Sequence, residues 1–278
     1  MNKIKKLTSR QINSFQKIIR KHYRAHGRKL PWRKTHDPYK ILVSEIMLQQ
    51  TQVSRVLPKY APFLKRFPNT HALARAPFSE VLSVWSGLGY NRRAQYLHQT
   101  AQEIVSKHKG VFPQTTTELQ TLRGVGQSTA GALFAFAFNK PTVFIETNIR
   151  SVFIYFFFKN KKSVLDAEIA PLIEKTLDRH NSREWYYALM DYGVFLKSHY
   201  KNPNRKSAHY IKQSSFTGSR REVRGEIIKL LIAHGSLSKS GMQKHIKSNA
   251  AFIKNALAQL TTEGFVDVEN NRLRLREI

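Results

Sequence analysis

Glu45 is the carboxyl group with the clearest chemical setting in this chain. It stands in Pro38-Tyr39-Lys40-Ile41-Leu42-Val43-Ser44-Glu45-Ile46-Met47-Leu48, whose spacing predicts a helix starting near Asp37-Pro38. A carboxyl among such apolar neighbours loses hydration. Desolvation disfavours the charged form, so the proton is kept to higher pH. A carboxylic acid still protonated near neutrality can donate that proton to a leaving group. A second stretch with chemical content is Leu122-Arg123-Gly124-Val125-Gly126-Gln127-Ser128-Thr129-Ala130. It reads as a tight hairpin between two helices. Gly124 and Gly126 are expected to supply φ > 0 and close backbone approach. Ser128-Thr129-Ala130-Gly131-Ala132-Leu133 is expected to start a helix capped by a hydroxyl. Bare amides feeding a helix N-terminus suit a phosphate. An ordinary helix-turn-helix corner would use the same residues, because Gly-x-Gly alone is weak. The charge of the chain favours the phosphate.

That charge is +29, from 47 Lys and Arg against 18 Asp and Glu in 278 residues. An excess of this size predicts a polyanionic partner, with nucleic acid ahead of an anionic membrane. Hydrophobic residues make up 41% of the chain, enough for a packed core, and argue against disorder. There is no Cys, which removes disulfides and thiolate-held metal or iron–sulfur centres. Of the eleven His only His22 and His26 stand at His-x-x-x-His spacing, and with no Cys and no acid nearby in the sequence to complete a set, no metal ligands are assigned. No apolar run is long enough to span a bilayer. The densest, Val152-Phe153-Ile154-Tyr155-Phe156-Phe157-Phe158, reads as a buried helix. The basic start lacks the apolar core of a secretory signal. The expectation is a cytoplasmic, nucleoid-associated protein without membrane contact.

The elements that must position these groups are mostly helices. Met1 to Trp32 has no acidic residue, and Ile12, Phe15, Ile18 and Ile19 predict an amphipathic helix broken at Leu30-Pro31-Trp32. Further helices are predicted over 53–67, 70–76, 77–86, 94–107, 116–122, 128–138, 147–158, 167–177 and 182–198. Residues 197–221 are rich in Asn, Ser, Lys, Arg and His and read as an irregular basic loop. Beyond it come a helix carrying Val223, Ile227, Ile228, Leu230 and Leu231, a second over 237–246 and a third over 250–263. Two alternating runs, Phe265-Val266-Asp267-Val268 and Arg272-Leu273-Arg274-Leu275, follow. Three helices and a hairpin are the order of a winged-helix module. Such a module contacts DNA, docks a protein, or serves only dimerisation or packing.

Several segments resemble, in order and spacing, the helix-hairpin-helix DNA glycosylases of the endonuclease III superfamily, and among them adenine DNA glycosylases of the MutY type. They are Leu30-Pro31-Trp32-Arg33, the run from Pro38 through Gln49-Gln50-Thr51-Gln52-Val53, Trp85-Ser86-Gly87-Leu88-Gly89-Tyr90-Asn91-Arg92-Arg93-Ala94, the glycine hairpin and Met190-Asp191-Tyr192-Gly193. The resemblance covers about Lys29 to Gly193. It implies base-excision chemistry on double-stranded DNA. Breaking an N-glycosidic bond needs an acid for the base and a carboxylate for the sugar cation. Glu45 matches the acid that protonates adenine. Glu146, in Phe144-Ile145-Glu146-Thr147-Asn148, fills a slot where the family has Asp, one methylene longer and a poorer expected cap. Asn148 matches a residue near the site. Ser128 stands where bifunctional relatives carry a Schiff-base Lys, which implies a monofunctional enzyme leaving an abasic site. Gln49 and Gln50 match the segment that fills the gap left by a flipped base.

Three departures accompany the resemblance. Asn91 replaces a Tyr that stacks beside 8-oxoguanine. The four Cys of an iron–sulfur cluster are gone, with Lys197 at the first. A winged-helix-like segment stands where the family has its 8-oxoguanine-reading domain. Lys197, Lys201, Arg205, Lys206, His209 and Lys212 are expected to contact phosphate without a metal. The expected fold is mainly α: a two-lobed helix-hairpin-helix glycosylase body over 1–215, then a small winged-helix-like α+β domain over 216–278. The expected catalytic residues are Glu45 and Glu146. The expected DNA contacts are Gln49, Gln50, Tyr90, Asn91, Arg92, Gly124, Gly126, Gln127, Ser128, Asn148 and Lys197. The expected activity is that of a monomeric, cofactor-free N-glycosylase removing a mispaired or damaged base, adenine first. Uracil, thymine or hypoxanthine in mispairs stays open, as does a DNA-binding protein without catalysis.

Overall fold

The computed structural model describes residues 7–213, 215–216 and 218–277. In chain order the first helices are α1 (Ser9–His26), α2 (Pro38–Leu48), α3 (Val53–Arg66), α4 (Thr70–Arg75), α5 (Phe78–Trp85), α6 (Arg92–His108) and α7 (Thr116–Thr121). Then come α8 (Gln127–Phe138), α9 (Thr147–Phe157), α10 (Asp166–Thr176), α11 (Ser182–His199) and α12 (Arg220–His234). β1 (Ser236–Ser238), α13 (Lys239–His245), α14 (Ala250–Thr262), β2 (Val266–Glu269) and β3 (Arg272–Leu275) complete the order. The fold is mainly helical with one small sheet, as the sequence predicts. No helix among the described residues is long and apolar enough to cross a membrane.

The chain divides into two compact units. One holds the residues up to Glu45 together with Pro113–Lys212; the other holds Ile46–Phe112 together with the residues from Gln213 on. The division therefore falls inside α2.

In the first unit, α1 begins at a capping box, in which Thr8 Oγ1 accepts from the Gln11 amide and the Gln11 side chain accepts from the Thr8 amide. The helix ends at Gly27, before the Leu30-Pro31-Trp32 break, and residues 1–6 of the predicted basic segment lie outside the described residues. Its buried face carries Phe15, whose ring meets those of Phe153, Phe156, Phe157 and Trp185 at 5.0–5.9 Å. Of the apolar run read as a buried helix, Val152, Phe153 and Ile154 are buried while Tyr155 is exposed. Two glycines set helix spacing. A Cβ on Gly193 of α11 would lie 2.4 Å from the Asn148 carbonyl oxygen in α9, and one on Gly131 of α8 would lie 2.5 Å from Phe144 Cβ. The absent side chains let these elements approach closely.

Residues 197–208 are more ordered than their composition suggests. α11 runs on to His199, and Pro203–Lys206 form a single 3-10 turn. Val164 donates to the Lys206 carbonyl at 2.8 Å, and Ala208 donates to the Val164 carbonyl at 2.9 Å, which ties this stretch to the first unit.

In the second unit, Phe63, Phe67, Phe78 and Trp85 form a buried aromatic core, and Phe78 meets Phe265 at 5.8 Å. The C-terminal sheet has the order β1-β3-β2, antiparallel throughout. β2 and β3 join through Asn270 (φ 48) and Asn271 (φ 61), the two positive-φ positions of a tight hairpin turn. β1 corrects the predicted helix over 237–246. Leu237 pairs with Leu273 in the sheet, and the helix starts only at Lys239, after Ser238 Oγ takes the Gly241 amide at 3.0 Å.

Candidate active site

Asp37 caps α2, its Oδ1 accepting from the amides of Tyr39 at 2.9 Å and Lys40 at 3.5 Å. Ile41, Leu42, Val43, Ile46 and Met47 are all fully buried, so the helix is apolar on nearly every side. Glu45 is the one acid in it and is half-buried. Loss of hydration pushes its pKa up to about 8; the charge of Glu146 adds to the rise and Arg33 opposes it. Glu45 therefore carries its proton at neutral pH.

Glu146 precedes α9 and caps it. Its Oε1 accepts from the amides of Asn148 and Ile149, both at 2.7 Å, and its Oε2 accepts from Asn148 Nδ2 at 3.1 Å. The extra methylene, expected to make a poorer cap, reaches both amides. Asn148 Oδ1 accepts in turn from Lys197 Nζ at 2.8 Å. Burial lowers the Lys197 pKa, Glu146 raises it and Arg150 lowers it further. Arg150 is itself held by Asp166 through two bonds of 2.7 Å. Lys197, Asn148 and Glu146 thus form one connected polar row, with the charge of Glu146 acting on Glu45. Lys197 spends its ammonium on this row.

Asp191 holds Arg33, whose charge bears on Glu45. It is buried and accepts from the Arg28 amide and Nε at 2.8 and 2.6 Å, and from both terminal nitrogens of Arg33 at 2.8 and 2.7 Å. Burial works against its ionisation, but the bonds and charges of Arg33 and Arg28 outweigh that and hold its pKa below the usual carboxylate range. The Arg33 guanidinium also lies over the Tyr187 ring at 4.5 Å. Reading along the chain did not assign Arg28, Arg33 or Asp191 a role. Their pairing spans about 160 positions, and no local signal carries it.

The glycine hairpin departs from its prediction in two respects. Gly124 has φ 72, but Gly126 has φ −82 and ψ 177, an extended conformation open to any residue. Gly126, not a hydroxyl, caps α8, and no side chain bonds the cap. The reason is register: the helix starts at Gln127, which puts Ser128 inside its first turn. A Cβ at Gly126 would meet nothing within 4 Å. Gly126 and Gln127 are exposed, and Ser128 is half-buried.

The second unit holds the remaining predicted residues. Gln49 is half-buried, and Gln50 is exposed with φ 52. Their loop is held by Arg93, which the sequence reading passed over. Arg93 donates to the carbonyls of Ile46, Met47 and Gln49 at 2.9, 2.8 and 2.6 Å and to Thr51 Oγ1 at 3.0 Å. A buried guanidinium here satisfies orphan carbonyls at the end of α2. Tyr90, with φ 48, lies with its ring 5.5 Å from the Arg93 guanidinium and 5.4 Å from that of Arg221. Its hydroxyl accepts from Gln213 and Arg221. Asn91 precedes α6 without a capping bond, and Arg92 pairs with Glu263.

The residues after Gly193 do not fit an iron–sulfur cluster. Such irons bond thiolates, the chain has no Cys, and Lys197 already donates to Asn148.

Comparison with known proteins places the sequence among relatives. Residues 43–175 match the family model of the HhH-GPD superfamily base excision DNA repair proteins. The adenine DNA glycosylase of Buchnera aphidicola subsp. Baizongia pistaciae is 40% identical over 187 residues, covering 66% of this chain and 52% of that protein. The adenine DNA glycosylase of Mycolicibacterium smegmatis is 44% identical over 129 residues, covering 46% and 44%. The human adenine DNA glycosylase is 30% identical over 242 residues, covering 83% and 43%. The chain spans about half the length of the curated relatives it matches. Among solved structures, a thermostable thymine-DNA glycosylase aligns with a TM-score of 0.60 and 24% identity over 69% of this chain and 91% of that one. A trapped endonuclease III–DNA covalent intermediate aligns at 0.58 and 18%, over 68% and 88%. Both likenesses speak to fold. Over residues 43–175 the chain belongs to the HhH-GPD superfamily of base excision DNA repair proteins.

Proposed function

We propose that this protein is a monofunctional DNA glycosylase that removes adenine from mispairs in double-stranded DNA. The observation that carries the reading is Glu45, a carboxyl on an apolar helix that keeps its proton to about pH 8 and stands under the charge of a second carboxylate. In the reaction, Glu45 gives its proton to a ring nitrogen of the flipped base. The glycosidic C–N bond breaks, and its electron pair leaves with the base. Glu146, fixed by the α9 amides and Asn148, stabilises the positive charge left on the sugar. Water adds its oxygen to the anomeric carbon and loses a proton, leaving an abasic site. Ser128 has no amine, so this position offers no Schiff base. Gln49 and Gln50 fill the vacated stack, and the amides at Gly126-Gln127-Ser128 hold a phosphate. No step calls for a metal or a cluster.

Single-turnover base release from a duplex panel tests this. The panel pairs A with 8-oxoguanine and with G, U and T with G, and hypoxanthine with T. Release of A that disappears in Glu45→Gln is expected. Release of another base alone would move the substrate, and no release from any duplex would remove the enzymatic reading.

A further inference from the structure

The C-terminal segment distributes charge unevenly. Residues 227–262 contain five Lys and no Asp or Glu, whereas 263–277 contain three Arg against four acids. The structure gives this division a geometry. Two of these three arginines are paired with acids of the same hairpin region, Arg274 with Glu269 and Arg276 with Asp267, while Arg272 donates to Ser236. Glu263, at the far end of α14, is taken by Arg92 and Arg224. The α13–α14 pair has no such partners: among the described residues Lys239, Lys244, Lys247 and Lys254 form no ion pair, and Lys239, Lys244, Lys247, Lys254 and His245 are all exposed. Met242, Ile246, Ile253, Ala256 and Leu260 bury the opposite faces, which fixes the cations outward. The exposed side of α14 also carries Ala250, Ala251, Phe252, Asn255 and Ala258, none of them acidic.

We infer that the α13–α14 pair is a second DNA-binding surface, which grips the phosphates of duplex DNA through Lys244, Lys247 and Lys254. It rests on the DNA-repair reading above only in the choice of duplex as the polyanion. An acid-free, unpaired cationic face is matched by a phosphate backbone and mismatched by an ordinary protein surface, where both charge signs occur. The proposed contact is lysine to backbone phosphate, which adds affinity without sequence preference.

The test measures binding of the full chain to an undamaged 25-base-pair duplex by fluorescence anisotropy across a salt series. The triple variant K244E/K247E/K254E is expected to bind at least tenfold more weakly at low salt. Its slope of log K against log salt should be shallower by about 2–3, roughly 0.9 per lost phosphate contact. The milder K244Q/K247Q/K254Q, with a thermal melt like that of the parent, should show the same direction with a smaller change. Binding and slope equal to the parent in both variants would overturn the inference and leave this face to a protein partner. Base release is scored separately. A parent that binds duplex through this face yet releases no base would overturn the glycosylase reading and keep this one.

Discussion

At the scale of single residues, Glu45 sets the pH behaviour. An acid with a pKa of about 8 is protonated below that value. Base release under saturating enzyme should therefore be level up to pH 7 and fall about tenfold per unit well above 8. A rate that rises through pH 8 would exclude Glu45 as the proton donor. Linkage gives a second readout. The folded pKa is raised above the ordinary 4.5, so the stability contribution of Glu45 is complete below pH 4.5 and is lost as pH rises towards 8. Glu45→Gln carries no such loss. Its melting temperature should gain on that of the parent between pH 5 and pH 9 while activity vanishes, and equal melting at both pH values would contradict the desolvated acid. Asp191 is the opposite case, a buried carboxylate with every partner in place. Asp191→Ala leaves Arg33 buried without its anion and should cost about 3–5 kcal/mol in a denaturant titration.

At the scale of elements, the close approach of α9 and α11 places Asn148 and Glu146. The Cβ of Gly193→Ala would sit 2.4 Å from a backbone oxygen, so the helices must part. Overpacking of this kind costs about 1–3 kcal/mol. Because the shift acts on the row Lys197–Asn148–Glu146, base release should fall by more than substrate binding does. A variant that melts lower but turns over at the parent rate would show that helix spacing does not govern the site. Arg93 plays the equivalent part for the Gln49–Gln50 loop, through three carbonyls and the Thr51 hydroxyl. Gly126, expected at φ > 0, is instead the extended cap of α8 in place of a hydroxyl, because the helix begins at Gln127, one residue before the predicted start at Ser128. Strand β1 appeared where a helix was expected because three residues are too few to show alternation, and their partner lies 36 positions away.

At the scale of the whole molecule, a formal charge of +29 predicts steep salt dependence. Duplex affinity should fall linearly in log–log form, with a slope near 0.9 for each phosphate neutralised. A flat response between 50 and 200 mM salt would remove phosphate gripping from the account, both at the glycine hairpin and at the α13–α14 face.

Composition and local pattern alone determined the helical class, the C-terminal hairpin, the exclusion of thiolate centres and Glu45 as an acid among apolar residues. These are properties of neighbours a few positions apart, where helical and strand periodicities and desolvation act. The tertiary structure decided what surrounds that acid. Glu146 bearing on it, Asp191 clamping Arg28 and Arg33, Lys197 turned to Asn148, and Arg93 closing the end of α2 are pairings across 47 to 163 positions. Charge and hydrogen bonding depend on separation in space, and over such spans the chain reveals that separation only once it is folded.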